Sequence, residues 1–368
     1  MLFAIVAFSV FLLMHVFVYL FFFKRAVRRN GILICLRIFL IVNYCGILGY
    51  FFGRYYSDIP QVLYFLLSLP VGVIFILFVS MLVYNILSLL PKFSTKRRAF
   101  FEDCVNYGSG IFTLSYLGYG IFEGALKPEV KEVDISLGLA KNLKAIQISD
   151  LHIGGLIEES VVGGLVDRVN SFGVDIIFLT GDIIDANTSK VKKALDELGS
   201  LKATLGVYFV VGNHEYFHDI SNLLPILRSF GIKILENENV IISKDGIELL
   251  NVCGVYDLFG RRIKTLEPNL NEALKNRNKN LPSLLLAHQP KFALEVDESH
   301  NVDLILSGHT HGGQIFPFRF LVTLDQPYLQ GLYNHNKKTK IYVNKGTGFW
   351  GPPIRILARA EITYFNFS

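Results

Sequence analysis

An α/β domain carried behind an α-helical, multi-pass membrane anchor is the architecture this sequence predicts. Three observations predict it. Of 368 residues 51% are hydrophobic and 31 are Phe, more than an ordinary soluble domain carries, and the excess sits in the first 127. From 128 to 368 short apolar runs alternate with amphipathic stretches, the pattern of helices covering sheet faces. Where those runs end, histidines and carboxylates gather.

The anchor comes first. Residues 1–23, "MLFAIVAFSVFLLMHVFVYLFFF", have no charged side chain and are long enough to cross a bilayer. A cleavable signal peptide fits them poorly: the apolar block is too long, lacks a basic leader, and is followed by further spans. Residues 32–53 form a second span, interrupted only by Arg37, which can snorkel. Residues 62–90 form a third, long enough to cross with tilt. "VNYGSGIFTLSYLGYGIF", 105–122, is a weaker fourth, uncharged but rich in Gly and Ser.

Basic clusters set the orientation. Lys24, Arg25, Arg28 and Arg29 follow the first span, and Lys92, Lys96, Arg97 and Arg98 follow the third. The positive-inside rule puts both in the cytoplasm, leaving the N-terminus and the loop "RYYSDIPQ" outside. Three crossings would make the following domain cytoplasmic, and a fourth would turn it outward. "STKRRAFF" weakly resembles a twin-arginine export signal. That favours the four-span arrangement, with an extracytoplasmic domain on a cell inner membrane.

In the second part, 143–152, 174–185, 206–215, 282–290 and 302–311 read as buried strands. Residues 158–172, 188–202, 220–230 and 268–279 read as helices. From 232 to 255 the chain reads as strands with a turn at Asp245-Gly246, and "KIYVNKG" and "RILARAEITYFNF" give two more. The expected division is 1–127 for the anchor and 128–368 for one catalytic domain.

A net charge of +5 without a basic stripe gives no support for nucleic-acid binding. The cysteines, Cys35, Cys45, Cys104 and Cys253, form no CxxC pair. This speaks against a disulfide scaffold, a thiolate zinc site and redox catalysis.

Seven of the nine histidines lie between 152 and 311. Of these, His152, His214, His288, His309 and His311 stand at or just past strand ends, with Asp150, Asp182 and Asn213 beside them. Ligand sites in open α/β sheets collect at such ends. In "LILSGHTHGG" an extended strand end would turn His309 and His311 to one face, and a pair of packed core histidines is the plain alternative. Eight such groups are hard to explain as packing, because each costs several kcal/mol when buried without a partner. Divalent cations are the natural partner.

The series "SDLH", "GDIID", "GNHE", "AHQP" and "GHTHGGQ" resembles the calcineurin-like metallophosphoesterase superfamily. With "GTGFWGPPIR" at 346–355, it resembles in particular the membrane-linked bacterial branch bearing the GHTHGGQ signature. The resemblance covers about 143–365 and implies a four-layer α-β-β-α sandwich. It implies Asp150, His152, Asp182 and His311 around one metal and Asp182, Asn213, His288 and His309 around a second, with Asp182 bridging. The ions would be Mn, Fe or Zn. Water shared by the two cations would attack phosphorus in line, and His214 would stabilise the transition state or protonate the leaving oxygen. Glu215 replaces the commoner Asp at its place, so its part in orienting His214 stays open. Asp185 is read as a helix N-cap in preference to a site residue. "IFPFRFLVTL", 315–324, is read as ordinary strand-and-loop core, with an apolar lip touching acyl chains or the membrane as the alternative; Trp350 shares that ambiguity.

The function so implied is a membrane-anchored dimetal phosphohydrolase, with a phosphorylated lipid or other amphiphilic phosphoester as substrate and the bilayer as partner. The most specific expectation is the UDP-diacylglucosamine pyrophosphatase of lipid A synthesis, which conflicts with an outward domain because its substrate is cytoplasmic. The competing classes are a non-catalytic metal-binding scaffold on the membrane and a transporter with a regulatory domain. A complete ligand set weighs against the first, and spans without paired acids weigh against the second.

Overall fold

A computed structural model describes residues 2–53, 59–89 and 95–368. The chain forms two compact units. One comprises Met1–Ala125 with Gly351–Ile356, the other Leu126–Trp350 with Leu357–Ser368.

The first unit is helical. Three of its helices are long and apolar enough to cross a membrane: Ile5–Ala26, Asn30–Gly53 and Val62–Ser88. Without water to drive association, apolar helices in lipid pack through close approach and interhelical hydrogen bonds, and both are present. A Cβ on Gly46 would stand 2.7 Å from Pro70 Cγ, so glycine lets the second helix meet the third. His15 Nε2 lies 2.9 Å from Asn43 Oδ1, joining the first helix to the second. Residues 105–122 do form a helix, within Thr95–Ala125. It is not among the helices apolar enough to span, because Gly, Ser, Glu102, Asp103 and Asn106 dilute its apolar residues. Arg54–Asp58 of the "RYYSDIPQ" loop, and Lys92, lie outside the described residues.

The second unit holds two six-stranded sheets. The first runs β1 (Glu129–Ile135), β12 (Glu361–Phe367), β2 (Leu143–Ile148), β3 (Ile176–Thr180), β4 (Val207–Val210) and β5 (Lys233–Ile234). The second runs β10 (Gly331–Asn334), β11 (Lys340–Val343), β9 (Leu304–Ser307), β8 (Ser283–Leu286), β7 (Ile247–Gly254) and β6 (Glu238–Lys244). Strands β2 to β5 are mutually parallel, and so are β7, β8, β9 and β11.

The apolar runs are continuous because each strand is covered on both faces. In β3, Ile176 and Phe178 join Leu250, Leu284 and Leu306 in a core between the sheets. Ile177 and Leu179 of the same strand face the helices Glu159–Asn170, Thr188–Glu197 and Ile220–Ser229. The outer face of the second sheet is covered by shorter pieces carrying Leu270, Ala273, Phe292 and Val296. This is the α-β-β-α order expected, with a thin fourth layer. The Asp245-Gly246 turn forms between β6 and β7, both residues in the left-handed region at φ 52 and 78, as a tight hairpin requires.

Three expectations need correction. The helix expected over 268–279 shrinks to Leu270–Ala273, capped by Asn269, because Asn276, Asn278 and Asn280 favour turns over helix interior. The strand expected over "RILARAEITYFNF" begins only at Glu361. Residues 315–324 are a loop and a short helix, Arg319–Val322, rather than strand.

Candidate metal centre

The site lies at the carboxyl ends of β2, β3, β4, β8 and β9, where the two sheets meet. Gln147 of β2 ties them together, its Nε2 donating to Thr180 Oγ1 and to Ser307 O, each at 2.9 Å. Beyond the strand ends the loops lock onto one another. Asp150 N donates to Gly181 O and His152 N to Asp182 O, both at 3.0 Å. His309 N reaches Asp150 Oδ2 at 2.9 Å, and His214 N reaches Asp182 Oδ1 at 2.8 Å.

Five of the expected ligands sit in the left-handed region: Asp150 (φ 53), His152 (φ 51), Asp182 (φ 53), His309 (φ 70) and His311 (φ 50). A non-glycine residue there costs about 1–3 kcal/mol. The strain persists because neighbours fix each residue, and it turns side chains to places no regular strand would put them. The extended-strand argument for His309 and His311 therefore fails. β9 ends at Ser307, and the two imidazoles serve adjacent clusters rather than one point.

Those clusters are Asp150, His152 and His311, and Asp182, His288 and His309; a third group, His152, Asp185 and His214, also lies close enough together to hold an ion. In the first, the Nε2 atoms of His152 and His311 face each other at 3.0 Å, and His311 Nε2 is 3.4 Å from Asp150 Oδ1. In the second, His288 Nε2 lies 3.2 Å from Asp182 Oδ2 without the angle of a hydrogen bond. The His288 Nδ1–H donates to Thr180 O at 2.7 Å, which fixes the tautomer and leaves Nε2 as a lone-pair donor. Asn213 stands at the start of the helix Asn213–Phe217, its buried Oδ1 without a hydrogen-bond partner among the described residues.

This donor set fits divalent cations. Ligand nitrogens about 2.0–2.1 Å from one ion at near a right angle are about 3 Å apart, which matches the facing imidazoles. A cation would also satisfy His288 Nε2 and Asn213 Oδ1, each otherwise costing about 1–3 kcal/mol. Imidazole, carboxylate and amide oxygen without thiolate suit Mn, Fe or Zn.

The electrostatics agree. Without a cation, burial would lower His288, but the Asp182 charge outweighs it and holds the imidazole protonated, well above its usual range; a bound ion would displace that proton from Nε2. Burial, first, and then the His288 charge push His309 down to about 3, leaving it a neutral donor. Burial would raise Asp182, but the His288 and His214 charges hold it well below the usual carboxylate range. Burial lifts Asp150, a cost that a bound cation relieves. Two glycines leave the necessary room. A Cβ on Gly308 would stand 1.9 Å from Ser149 Oγ and 2.3 Å from Asp150 Oδ2, and one on Gly212 would stand 2.2 Å from Asp182 Oδ1.

His214 occupies the place expected of it beside the clusters, but its support differs. Asp185 is no cap. Asn187 precedes the helix Thr188–Glu197, and Asp185 Oδ1 lies 2.5 Å from His214 Nδ1, also 3.6 Å from His152 Nδ1 and from His218 Nε2. Burial would lower His214, but the charges of Asp182 and Asp185 lift it to about 9. Glu215 does not orient His214 at all. Its carboxylate accepts from the N–H groups of Gly212 (2.6 Å), Ile183 (2.7 Å) and Asp182 (3.0 Å), clamping the loop after β3. The second acid of "GDIID" was the available signal for Asp185. Nothing local marks Asp257, buried beyond β7 and hydrogen-bonded by Gln289 Nε2 at 2.8 Å, where burial lifts its carboxyl to about 6.

The core reading of 315–324 is also overturned. Phe320 is 62% and Leu324 82% exposed, with Phe318 and Leu321 exposed beside them. Gln314 of the histidine loop pairs reciprocally with the Trp350 backbone, Nε2 to O at 2.8 Å and N to Oε1 at 3.0 Å. The half-exposed Trp350 ring stands 6.2 Å from the ring of His214. An apolar rim thus borders the polar centre.

This fold and donor set define a class, the metallophosphoesterases, and comparison with known proteins agrees. The calcineurin-like phosphoesterase family profile matches residues 143–313. The chain is 42% identical over 319 residues to an uncharacterized metallophosphoesterase of Helicobacter pylori, covering 86% of this chain and 85% of that one. It is 41% identical over 256 residues to an uncharacterized metallophosphoesterase of Campylobacter jejuni, covering 69% and 67%. It is 33% identical over 309 residues to a transmembrane protein with metallophosphoesterase domain of Danio rerio, covering 79% and 70%. The chain belongs to the calcineurin-like metallophosphoesterase family and is a metal-dependent phosphoester hydrolase.

Proposed function

We propose that this chain is a membrane-anchored dimetal phosphohydrolase of the bacterial branch with the GHTHGGQ signature, acting on a lipid-linked or otherwise amphiphilic phosphoester. The observations that carry the substrate class are the half-exposed Trp350 ring beside His214 and the exposed Phe318, Phe320, Leu321 and Leu324 just past the histidine loop, in a chain with three apolar helices among the described residues. Exposed apolar patches of this kind mark interaction sites. We divide the chain into an anchor, 1–127, and a catalytic domain, 128–368.

In this reading Asp150, His152, Asp182 and His311 hold one ion, and Asp182, Asn213, His288 and His309 the other, with manganese the first metal to try. When bound, such a pair supplies Lewis acidity and lowers the pKa of water. The chain's own groups do the rest. His214, tied at Nδ1 to Asp185, holds a proton at Nε2 for the leaving oxygen. Glu215 keeps the Asp182 loop rigid, and the apolar rim seats the substrate's hydrocarbon part while narrowing water access. The most specific substrate is the UDP-diacylglucosamine pyrophosphate of lipid A synthesis. If the three apolar helices among the described residues are the crossings, the positive-inside rule puts the domain on the cytoplasmic side of the inner membrane, the side this nucleotide-lipid requires. A crossing at 105–122 would instead turn the domain outward.

Purified protein with added Mn should hydrolyse an acylated phosphoester in mixed micelles with a higher kcat/KM than a water-soluble aryl phosphate. Equal or lower efficiency on the acylated substrate would sink the amphiphile reading. Rescue of a strain lacking the lipid A hydrolase tests the narrower assignment, and a reporter fused after residue 128 tests the side.

A further inference from the structure

The helical unit contains two cavities that share Arg28 and Asn106. The larger, about 980 Å³, is walled mostly by apolar side chains, among them Phe22, Ile32, Phe39, Leu77, Leu114 and Leu117. Its polar lining comes from Arg28 and Arg29, in the turn between the first two helices, and from Asp103, Asn106, Tyr107 and Thr113 of Thr95–Ala125. The smaller, about 520 Å³, has Arg25, Arg28, Asn85, Ser88, Glu102 and Asn106 in its lining beside Leu89, Phe101 and Val105. Its charges are already in place: Arg28 lies 3.5 Å from Glu102 Oε2, and Arg25 donates to Asn85 Oδ1 at 2.8 Å.

A largely apolar cavity that shares Arg28 and Asn106 with a charged one matches an amphiphile, acyl chains in the first and headgroup at the shared residues and in the second. The volumes fall in the range of ligand sites, roughly 300–1,000 Å³. The lining charges choose the headgroup. Three arginines call for phosphate, which guanidinium recognises by paired hydrogen bonds. Glu102 and Asp103 among them would repel a headgroup bearing only negative charge, and a primary ammonium beside the phosphate would meet them.

We infer that the anchor holds one two-chain phospholipid whose headgroup combines a phosphate diester with a primary ammonium. This is a site separate from the metal centre. It rests on the helices being membrane-embedded and not on the substrate reading, so an enzyme inactive on amphiphiles could still bind the lipid.

Native mass spectrometry of the full chain, released from mild detergent, tests this with phosphatidylethanolamine, phosphatidylglycerol and phosphatidylcholine of identical acyl chains. One phosphatidylethanolamine per chain should survive activation that strips the other two. Arg29→Gln and Asp103→Asn should each cut the retained fraction about tenfold, the effect of losing one charge-assisted contact. Gly110 lines the apolar chamber, and a Cβ there would meet nothing within 4 Å. Gly110→Phe should therefore fill the chamber and abolish retention without touching a charge. Retention indifferent to headgroup, a preference for phosphatidylglycerol, or a Gly110→Phe protein that binds as well as the parent would each overturn the site. The headgroup comparison needs no variant, so a substitution that fails to fold leaves the inference testable.

Discussion

Residues 308–313 and 316–324 are neighbours in sequence and opposites in physics. The first stretch is largely buried, holds two left-handed histidines, and has its backbone tied to Asp150. The second is a loop and one turn of helix that leaves Phe320 and Leu324 to solvent. The contrast separates two tasks. Chemistry needs donor atoms fixed to a few tenths of an ångström, so the histidine loop carries strain and is gripped from several sides. Seating a hydrocarbon chain needs area rather than geometry, so an exposed apolar segment suffices.

Substitutions that strike the rigid side should have the largest effects. Asp182→Ala or His309→Ala should lower kcat/KM on any phosphoester on the order of 10³-fold, the several kcal/mol that a metal's charge stabilisation supplies. Steady-state kinetics at saturating Mn checks this, and turnover within tenfold of the parent would show the ligand assignment wrong. Asp185→Asn removes the charge behind His214 and should cost about 10–100-fold, as for other groups that orient a reacting side chain. Because Asp185 helps hold His214 near 9, the alkaline limb of the pH–rate profile should also move to lower pH. An unmoved limb would mean that another group donates the proton.

On the compliant side the expectation is selective. Phe320→Ser with Leu324→Ser should lower the ratio of micellar to water-soluble turnover about tenfold, or about 1.4 kcal/mol, a fraction of the roughly 1.5–3 kcal/mol that full burial of each side chain would supply. A ratio that stays put would return these residues to the status of incidental surface.

The smallest effect lies far from both. Asp175 is held below the usual carboxylate range; burial raises it, but the Lys144 N–H and Lys244 outweigh that. Its stabilising contribution is present above the unfolded value of about 3.9 and is lost as pH falls through the lower folded value. Asp175→Asn should lower Tm at pH 7, by a margin that shrinks below about pH 4.

What the sequence revealed follows the same division. Strand cores such as "AIQI" and "DLILS" were legible because burial on both faces leaves a continuous apolar run. The candidate ligands stand out as residue types at strand ends, but their geometry does not, since a left-handed backbone at Asp150 or His309 leaves no periodic trace. Asp185 and Glu215 exchanged their expected parts because each acts on residues about 30 positions away, beyond any local pattern. The 315–324 segment departs from expectation because apolar composition reads as core, whereas here Phe318, Phe320, Leu321 and Leu324 are exposed. Residues 105–122 form their helix within Thr95–Ala125, but Gly and Ser make it less apolar than the three before it.

Metal stoichiometry tests the central claim, that strained and mutually locked loops assemble two cation sites, most directly. The account predicts two Mn, Fe or Zn ions per chain by plasma mass spectrometry of protein saturated with metal and desalted. The His309→Ala protein should retain about one, because Asp150, His152 and His311 stay intact. Fewer than one ion per chain in the parent, or two in the His309→Ala protein, would contradict it.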